Sequence, residues 1–314
     1  MMSTSLGSAI DRQLRSRFRS PSFWIGASLP VVLISGLLLQ TARATNSPAA
    51  VMFLAILSAL WVGGSSCIRE IVDERRLVQR DPHLSLFAYG VAKIVHATLL
   101  ALGQSLVLAL FLRLSDVVRL PLLPLWTLLM LTTVSGSMLS MLLSAVCEES
   151  ASALAWFPLL LVPQVVFGGF LFPYGPTRPF HLDLAGHAIT EMPSPLVRSA
   201  VNDPVLRIAG AICVSRWALE GYAAQVMEQN LEDPKRLQEA VAVGMFLPVT
   251  LAKTPIASRL VDYARARAGG VMAPAPVLSA RGGLYVAVLS AFAAGQAALL
   301  LIVLPLRDPR RSVR

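Results

Sequence analysis

Residues 120–172 read LPLLPLWTLLMLTTVSGSMLSMLLSAVCEESASALAWFPLLLVPQVVFGGFLF. This stretch contains two apolar runs, 120–146 and 151–172, separated only by CEES. Each run is longer than the roughly 18 apolar residues that indicate a membrane-crossing helix. The pair therefore predicts two membrane spans joined by a very short loop.

Four further apolar runs of similar length lie on either side of this pair, with short charged segments between them. They are residues 22–40, 49–66, 89–112 and 284–306. Only 14% of the residues are charged, against about 25% in soluble domains, and the mean hydropathy is +0.65. The predicted fold class is therefore an all-α integral membrane protein with six transmembrane helices.

The N-terminal segment, residues 1–20, is basic and precedes the first span. Ile10, Leu14 and Phe18 recur at helical spacing among its arginines. This pattern is typical of an amphipathic connecting helix that lies on an anionic membrane surface. A basic flank that only sets the topology explains the same residues equally well.

The most charged stretch within the predicted membrane region, 21–172, is residues 68–86, which read IREIVDERRLVQRDPHLSL. We predict that this stretch forms a cytoplasmic coupling helix that continues span two. Glu74, Arg75 and Arg76 are suited to charge-assisted contacts with a partner protein. The alternative is that these charges only solvate a loop and set the topology.

The arginines predict the orientation in the membrane. They cluster in the N-terminal stretch, in residues 68–86 and in the C-terminal tail that follows span six, within 282–314. Six spans place these three clusters on one side, and the positive-inside rule makes that side cytoplasmic. Both termini are therefore predicted to be cytoplasmic and residues 173–281 external. The scarcity of lysine suggests a bacterial genome, so we expect the plasma membrane of a bacterium, its inner membrane.

The long external region contains two shorter apolar runs, 205–214 and 241–252. Runs of this length are more often buried, interfacial or re-entrant helices than spans. We therefore predict a large, helical external loop between spans five and six. One additional pair of spans is the alternative.

Several kinds of chemistry lack their motifs in this sequence. There is no GxxxxGK[ST] phosphate loop, no HExxH and no GxSxG. His181 and His187 flank LDLAG, a spacing that matches no standard metal site. No catalytic residue and no metal site are predicted, so we expect that the chain is not an enzyme. Its arginines flank apolar spans, which favours a topological role over nucleic-acid binding.

Ionisable residues inside the predicted spans are scarce. Lys93 and His96 enter span three near its cytoplasmic start, where Lys93 is expected to extend toward water. Ion-coupled carriers usually place acids or bases deep in the membrane, so the energy for any transport is expected from a partner. Cys213 is predicted to be a buried thiol, with an intersubunit disulfide as the alternative.

Residues 68–93 resemble the first intracellular loop of type-2 ABC exporter permeases. The resemblance is closest to the G-subfamily, the eye-pigment and multidrug half-transporters and their bacterial relatives. In that loop an acidic–basic helix is followed by a Tyr-x-x-x-Lys motif that opens the third span. The matching residues here are Glu74, Arg75, Arg76 and Asp81 for the helix, and Tyr89 and Lys93 for the motif.

Two further stretches carry the same resemblance. Gly168-Gly169-Phe170-Leu171 is similar to the residues that end the fifth span in this family, where paired bulky side chains close the substrate path. The stretch from Ser215 to Tyr222 resembles a P-x-R-[YW]-x-x-E-A element of the last external loop. The resemblance thus implies a gate at Phe170 and Leu171. It also implies an external loop element whose characteristic residues are Arg216, Trp217 and Glu220.

The resemblance implies a permease subunit of an ATP-driven exporter. Such a subunit pairs with a second permease subunit, identical or different, and is moved by a separate ABC ATPase subunit. ATP and Mg²⁺ then belong to the ATPase, and this chain binds no cofactor and no nucleic acid, only membrane lipid. A stand-alone channel or secondary carrier, and a non-transporting scaffold with an external partner, are the alternatives. The residues implied to couple the chain to the ATPase are Glu70, Asp73, Glu74, Arg75, Arg76 and Asp81.

Overall fold

A computed structural model describes residues 21–44, 48–75, 78, 85–115, 118, 120–168, 204–230 and 281–306. Every regular element within these ranges is an α-helix. The sequence-based all-α class is therefore confirmed for this part of the chain. The helices are α1 Pro21–Ala44, α2 Pro48–Cys67, α3 Leu86–Arg113, α4 Leu122–Val146, α5 Ser150–Val166, α6 Pro204–Ile212, α7 Val214–Asn230 and α8 Arg281–Leu306.

Five of the described helices are long and apolar enough to cross a membrane, namely α1, α2, α3, α4 and α8. They coincide with five of the six predicted spans. The remaining predicted span, 151–172, corresponds to α5, an apolar helix of 17 residues. Pro158 and Pro163 lie inside α5, and a helix in a membrane protein tolerates them when neighbouring groups satisfy the freed carbonyls. The count of six spans therefore stays a prediction.

The central helix of the bundle is α4, which packs against α2, α3, α5, α7 and α8. Glycines bring the backbones of α2 and α4 into direct contact. A Cβ atom at Gly63 would lie 2.2 Å from the carbonyl oxygen of Thr133, and one at Gly136 would lie 2.5 Å from that of Leu60. Gly136 thus allows the close approach of two membrane helices that small residues permit.

The two ends of the bundle differ in what they contain. At one end the start of α3 meets the end of α8, where Gly90 faces Leu301 and Leu304. The residues that follow α2 lie at this same end, because Ile71 and Leu304 share a core cluster. At the other end Gly221 of α7 lies against the start of α8. The charged segment after α2 and the helix α7 are thus at opposite ends of the protein.

Several sequence-based predictions lie outside the described residues. They concern the amphipathic segment 1–20, the apolar run 241–252 and the side chains of Arg76, Asp81, Phe170, Leu171, His181 and His187.

Candidate functional site

Residues 68–75, which we call the junction segment, follow α2 directly. The sequence predicts a helix here, but residues 68–74 form hydrogen-bonded turns instead. Three-residue bonds, such as Glu70 N to Cys67 O at 3.2 Å, alternate with four-residue bonds, such as Asp73 N to Arg69 O at 3.1 Å. The prediction of a regular coupling helix is therefore not confirmed for these residues. The regular pattern is interrupted because other helices take part in the hydrogen bonding of the segment.

The first attachment of the junction segment is to α3, through Lys93. The ammonium group of Lys93 lies 2.6 Å from Glu70 Oε2 and 2.7 Å from Glu74 Oε1. The Tyr89 hydroxyl donates a hydrogen bond to Glu74 Oε2 at 3.1 Å. The Lys93 side chain is 0% exposed, so the expectation that it extends to water is wrong. Two carboxylates from the junction segment surround it and replace the water.

The second attachment is to the end of α4. The hydroxyl oxygen of Ser144 accepts hydrogen bonds from the backbone N–H groups of Ile71 at 3.2 Å and Val72 at 3.1 Å. The Arg75 guanidinium donates to the carbonyl oxygen of Ala145 at 2.8 Å. These bonds satisfy buried backbone groups that the irregular turns leave without partners inside the segment.

The third attachment is to the start of α5, where the Ser150 hydroxyl donates to the carboxylate of Asp73. The junction segment is therefore bonded to three helices besides α2, from which it continues. Arg69 and Asp73 are exposed, whereas Glu70, Ile71 and Val72 are buried. The exposed side of the segment is therefore charged, and its buried side is bonded to the helix bundle.

The arrangement suits the transmission of movement better than chemistry on a ligand. Breaking a buried ion pair is costly in free energy, because the loss of one partner leaves an uncompensated buried charge. The described residues contain no cluster of histidine, cysteine and acidic side chains that could hold a metal ion. A mechanical linkage between helices is what these contacts support.

Residues 4–182 match the family of ABC-2 type transporters, more than half of the chain. The chain belongs to the ABC-2 type transporter family. It is also 26% identical over 140 residues to an ABC transporter ATP-binding/permease protein of Mycobacterium tuberculosis. That alignment covers 41% of this chain and 16% of the relative, so the chain spans only a small part of that protein's length.

Membership of the ABC-2 family confirms the resemblance to type-2 ABC permeases that the sequence indicates. It identifies the chain as a membrane-embedded transport subunit that is not itself catalytic. The junction segment lies within the matched residues, as do α1 to α5. The attachments described above are therefore features of the ABC-2 domain and not of an added region.

The structure brings together four of the six sequence-predicted coupling residues, Glu70, Asp73, Glu74 and Arg75. Sequence reasoning missed the roles of two serines in this ABC-2 domain, Ser144 and Ser150. In the sequence, Ser144 follows Gly136 and Ser140 at four-residue spacing, a pattern that indicates only close helix packing. That spacing correctly indicates a face directed at neighbouring chain segments, but it does not show that backbone N–H groups lie opposite.

At the other end of the ABC-2 protein, α7 contains the predicted external loop element. Arg216 donates to Glu220 Oε1 at 2.8 Å, and its guanidinium lies 5.3 Å from the centre of the Trp217 ring. Burial raises the pKa of Glu220 to about 7, although Arg216 opposes this shift. Both charged side chains are buried, at 7% and 4% exposure. The structure therefore groups the three predicted residues on one helix.

The helix α7 is fixed to α5 by polar contacts. The Ser215 hydroxyl donates to the carbonyl oxygen of Gln164 at 2.6 Å, and the Ser215 N–H donates to the Gln164 side chain at 3.0 Å. Tyr222 is among the most deeply buried side chains of the described residues. The apolar run 205–214, predicted to be a buried, interfacial or re-entrant helix, corresponds largely to α6, where Ile208 and Ile212 are exposed. Its helical character is confirmed, and its position relative to the membrane stays a prediction.

Proposed function

We propose that this chain is the permease subunit of an ATP-driven exporter and that the junction segment receives movement from a separate ATPase subunit. One observation carries the proposal: the junction segment is bonded to α3, α4 and α5 while it continues α2. A soluble ATPase can act on membrane helices only through residues outside the membrane. A segment tied to four helices moves them together.

The exposed residues of the junction segment are the natural contact points for such a partner. Arg69 and Asp73 are exposed and of opposite charge, so they can form charge-assisted contacts. A displacement at these residues is resisted by the buried contacts beneath them. Packed protein interiors deform little, so the displacement passes to the attached helices as a rigid-body movement.

The remaining features of the proposal follow the resemblance to the G-subfamily. Two permease subunits form the path, and ATP with Mg²⁺ binds to the ATPase. Exposed apolar side chains on α1 and α5, such as Leu33 and Trp156, face lipid or the second subunit. Phe170 and Leu171 close the external end of the path. The junction segment and both termini lie in the cytoplasm of a bacterium, and α7 lies at the external side.

Membership of the ABC-2 family favours this function over the two alternatives. A stand-alone channel or carrier does not need a charged segment tied to several helices. A non-transporting scaffold does not need one either. Neither alternative accounts for the contacts that Lys93 and Ser144 make with the junction segment.

Affinity purification of the tagged chain from its native membranes tests the proposal. We expect an ABC ATPase to co-purify, and we expect Arg69→Glu to reduce its amount several-fold because a surface charge is reversed. Arg113→Glu is the matched control, because Arg113 is an exposed arginine at the opposite end of α3. Absence of any ATPase from the wild-type preparation would contradict the proposed function.

A further inference from the structure

Four polar side chains of α4 show how its hydroxyl groups are used. Thr132 and Thr133 donate to carbonyl groups one turn earlier in their own helix, and Ser140 does the same to Ser137 at 2.9 Å. The Ser137 hydroxyl lies 3.1 Å from two carbonyl oxygens that can accept its single hydrogen, Thr133 in α4 and Gly63 in α2. These hydroxyl groups act as donors to helical carbonyls, which is their usual behaviour inside a helix.

Ser144 is used differently, because its oxygen accepts two hydrogen bonds from outside its own helix. The donors are the N–H groups of Ile71 and Val72, and all three residues are buried. Buried N–H groups need an acceptor, and the turns of the junction segment provide no closer acceptor for these two N–H groups. One side chain of α4 therefore holds two consecutive backbone groups of the junction segment.

A second contact between the same elements lies deeper in the bundle. The backbones of α2 and α4 touch at Gly63 and Gly136, where no Cβ atom would fit. The α2–α4 pair is thus joined by backbone contact at Gly63 and Gly136 and, about two helical turns further along α4, by Ser144. Two separated points of attachment prevent one element from rotating relative to the other, whereas one point would leave a pivot.

We propose that Ser144 is the positioning residue that locks the junction segment to α4, so that α2, the junction segment and α4 move as one body. This inference rests on the proposed function, because it takes the driving movement to come from a separate ATPase. It adds a specific route: the Ser144 hydroxyl joins the junction segment to the central helix, beside the bond from Arg75 to the Ala145 carbonyl oxygen. The Lys93 contacts to α3 remain when Ser144 is removed, so the two routes are separable.

Hydrogen–deuterium exchange on the co-purified complex in lipid nanodiscs tests the inference. It compares the nucleotide-free complex with the complex trapped by ATP and vanadate. In wild type we expect trapping to alter exchange in both the junction segment and the last turn of α4. In Ser144→Ala we expect the change in the junction segment to remain and the change in α4 to be reduced several-fold, because the Arg75 bond to Ala145 is kept. Without nucleotide, exchange at Ile71 and Val72 should rise about tenfold or more.

The matched control is Ser140→Ala, which removes an equally buried hydroxyl that bonds only within α4. It should retain the wild-type response, and Ser144→Thr should restore it because the hydroxyl is kept. If Ser144→Ala does not reach the membrane, Ser144→Cys takes its place, since a thiol is a weak acceptor of similar size.

The inference is overturned if Ser144→Ala keeps the full nucleotide response of α4, or if Ser140→Ala reduces it as much. It is also overturned if exchange at Ile71 and Val72 is unchanged in the nucleotide-free Ser144→Ala protein. This measurement does not require a bound ATPase. Failure of the proposed function has a different signature, because wild type would then show no bound ATPase.

Discussion

Both ends of the protein contain buried ion pairs, but the ion pairs at the two ends connect different structural elements. Lys93 belongs to α3, and its partners Glu70 and Glu74 precede it by 23 and 19 residues in the junction segment. Arg216 and Glu220 are four residues apart on the same helix, α7. The first pair joins two elements of the fold, whereas the second stiffens one element.

This difference indicates how each end can respond to force. A bond between two elements passes movement from one to the other, and its loss separates them. A bond within one helix keeps that helix intact but leaves its position to other contacts. For α7 these contacts are Ser215 with Gln164 and the packing of Tyr222. The contacts of the junction end therefore fit the transmission of movement that we propose, whereas the contacts of α7 fit a fixed position.

The largest effect should come from Lys93→Met, which removes the charge that joins the two elements. Glu70 would remain buried without the ammonium group that balances its charge, so we expect the unfolding free energy to fall by about 3–5 kcal/mol. A lower apparent Tm in detergent and a lower yield of folded protein measure this. Arg113→Met removes an exposed charge from the same helix and should change stability by less than about 0.5 kcal/mol. Equal losses in both variants would show that the Lys93 pairs contribute nothing.

A smaller loss is expected when the α2–α4 contact is forced apart. Gly136→Ala places a Cβ atom against the Leu60 backbone, which cannot move aside as a side chain can. Overpacking of this kind costs about 1–3 kcal/mol. Gly103→Ala is the control, since a Cβ atom there meets nothing within 4 Å and alanine favours the helix. A thermal melt in which Gly136→Ala matches or exceeds wild type would refute the direct backbone contact.

The pair on α7 should give a weaker, pH-dependent effect. Burial raises the pKa of Glu220 from 4.5 to about 7, so between these values the folded protein binds a proton that the unfolded chain releases. The stability that results is fully present below pH 4.5 and is lost as the pH rises through about 7. Amide exchange in α7 should therefore be slower at pH 5.5 than at pH 8.

The control for this prediction is Glu220→Gln, which cannot titrate and should remove the difference in α7. The junction segment serves as an internal comparison, because it does not contain the titrating group. If the wild-type α7 exchanges more slowly at pH 8, once corrected for the intrinsic pH dependence of exchange, the sign of the prediction is wrong.

The smallest perturbation is chemical labelling, which compares the two ends without any substitution. Cys147, between α4 and α5, is half-buried, whereas Cys213 is buried and its thiol lies 3.5 Å from the carbonyl oxygen of Pro163. Burial raises the pKa of Cys213 to about 11, which lowers its reactive thiolate fraction by about a hundredfold. Maleimide should therefore modify Cys147 and spare Cys213 in the folded protein. Rapid labelling of Cys213, or an oxidised dimer through it, would favour the intersubunit disulfide.

The sequence predicts most of the membrane-crossing architecture because a bilayer imposes a simple rule of length and apolarity. The run 89–112 becomes α3, Leu86–Arg113, and the run 120–146 becomes α4, Leu122–Val146. Compartment, dimerisation and the gate involve a membrane or a second chain, and they stay predictions.

The site was less predictable, because its contacts join residues distant in sequence. The partners of Lys93 depend on how α3 packs beside the junction segment, and no spacing rule gives that packing. Ser144 shows the same limit. A small residue at four-residue spacing predicts close packing, but whether its hydroxyl bonds its own helix, as Ser140 does, or another segment depends on what lies opposite.

The helix α5 is attached at both ends, by Ser150 to the junction segment and by Gln164 to α7. At 1.5 Å per residue its 17 residues extend about 26 Å, whereas the hydrocarbon core of a bilayer is about 30 Å thick. A short helix that cannot tilt freely is sensitive to hydrophobic mismatch. Thicker lipid would pull its two anchored ends in opposite directions. The acyl-chain length of the surrounding lipid should then affect the junction segment and α7 together, although neither touches the other.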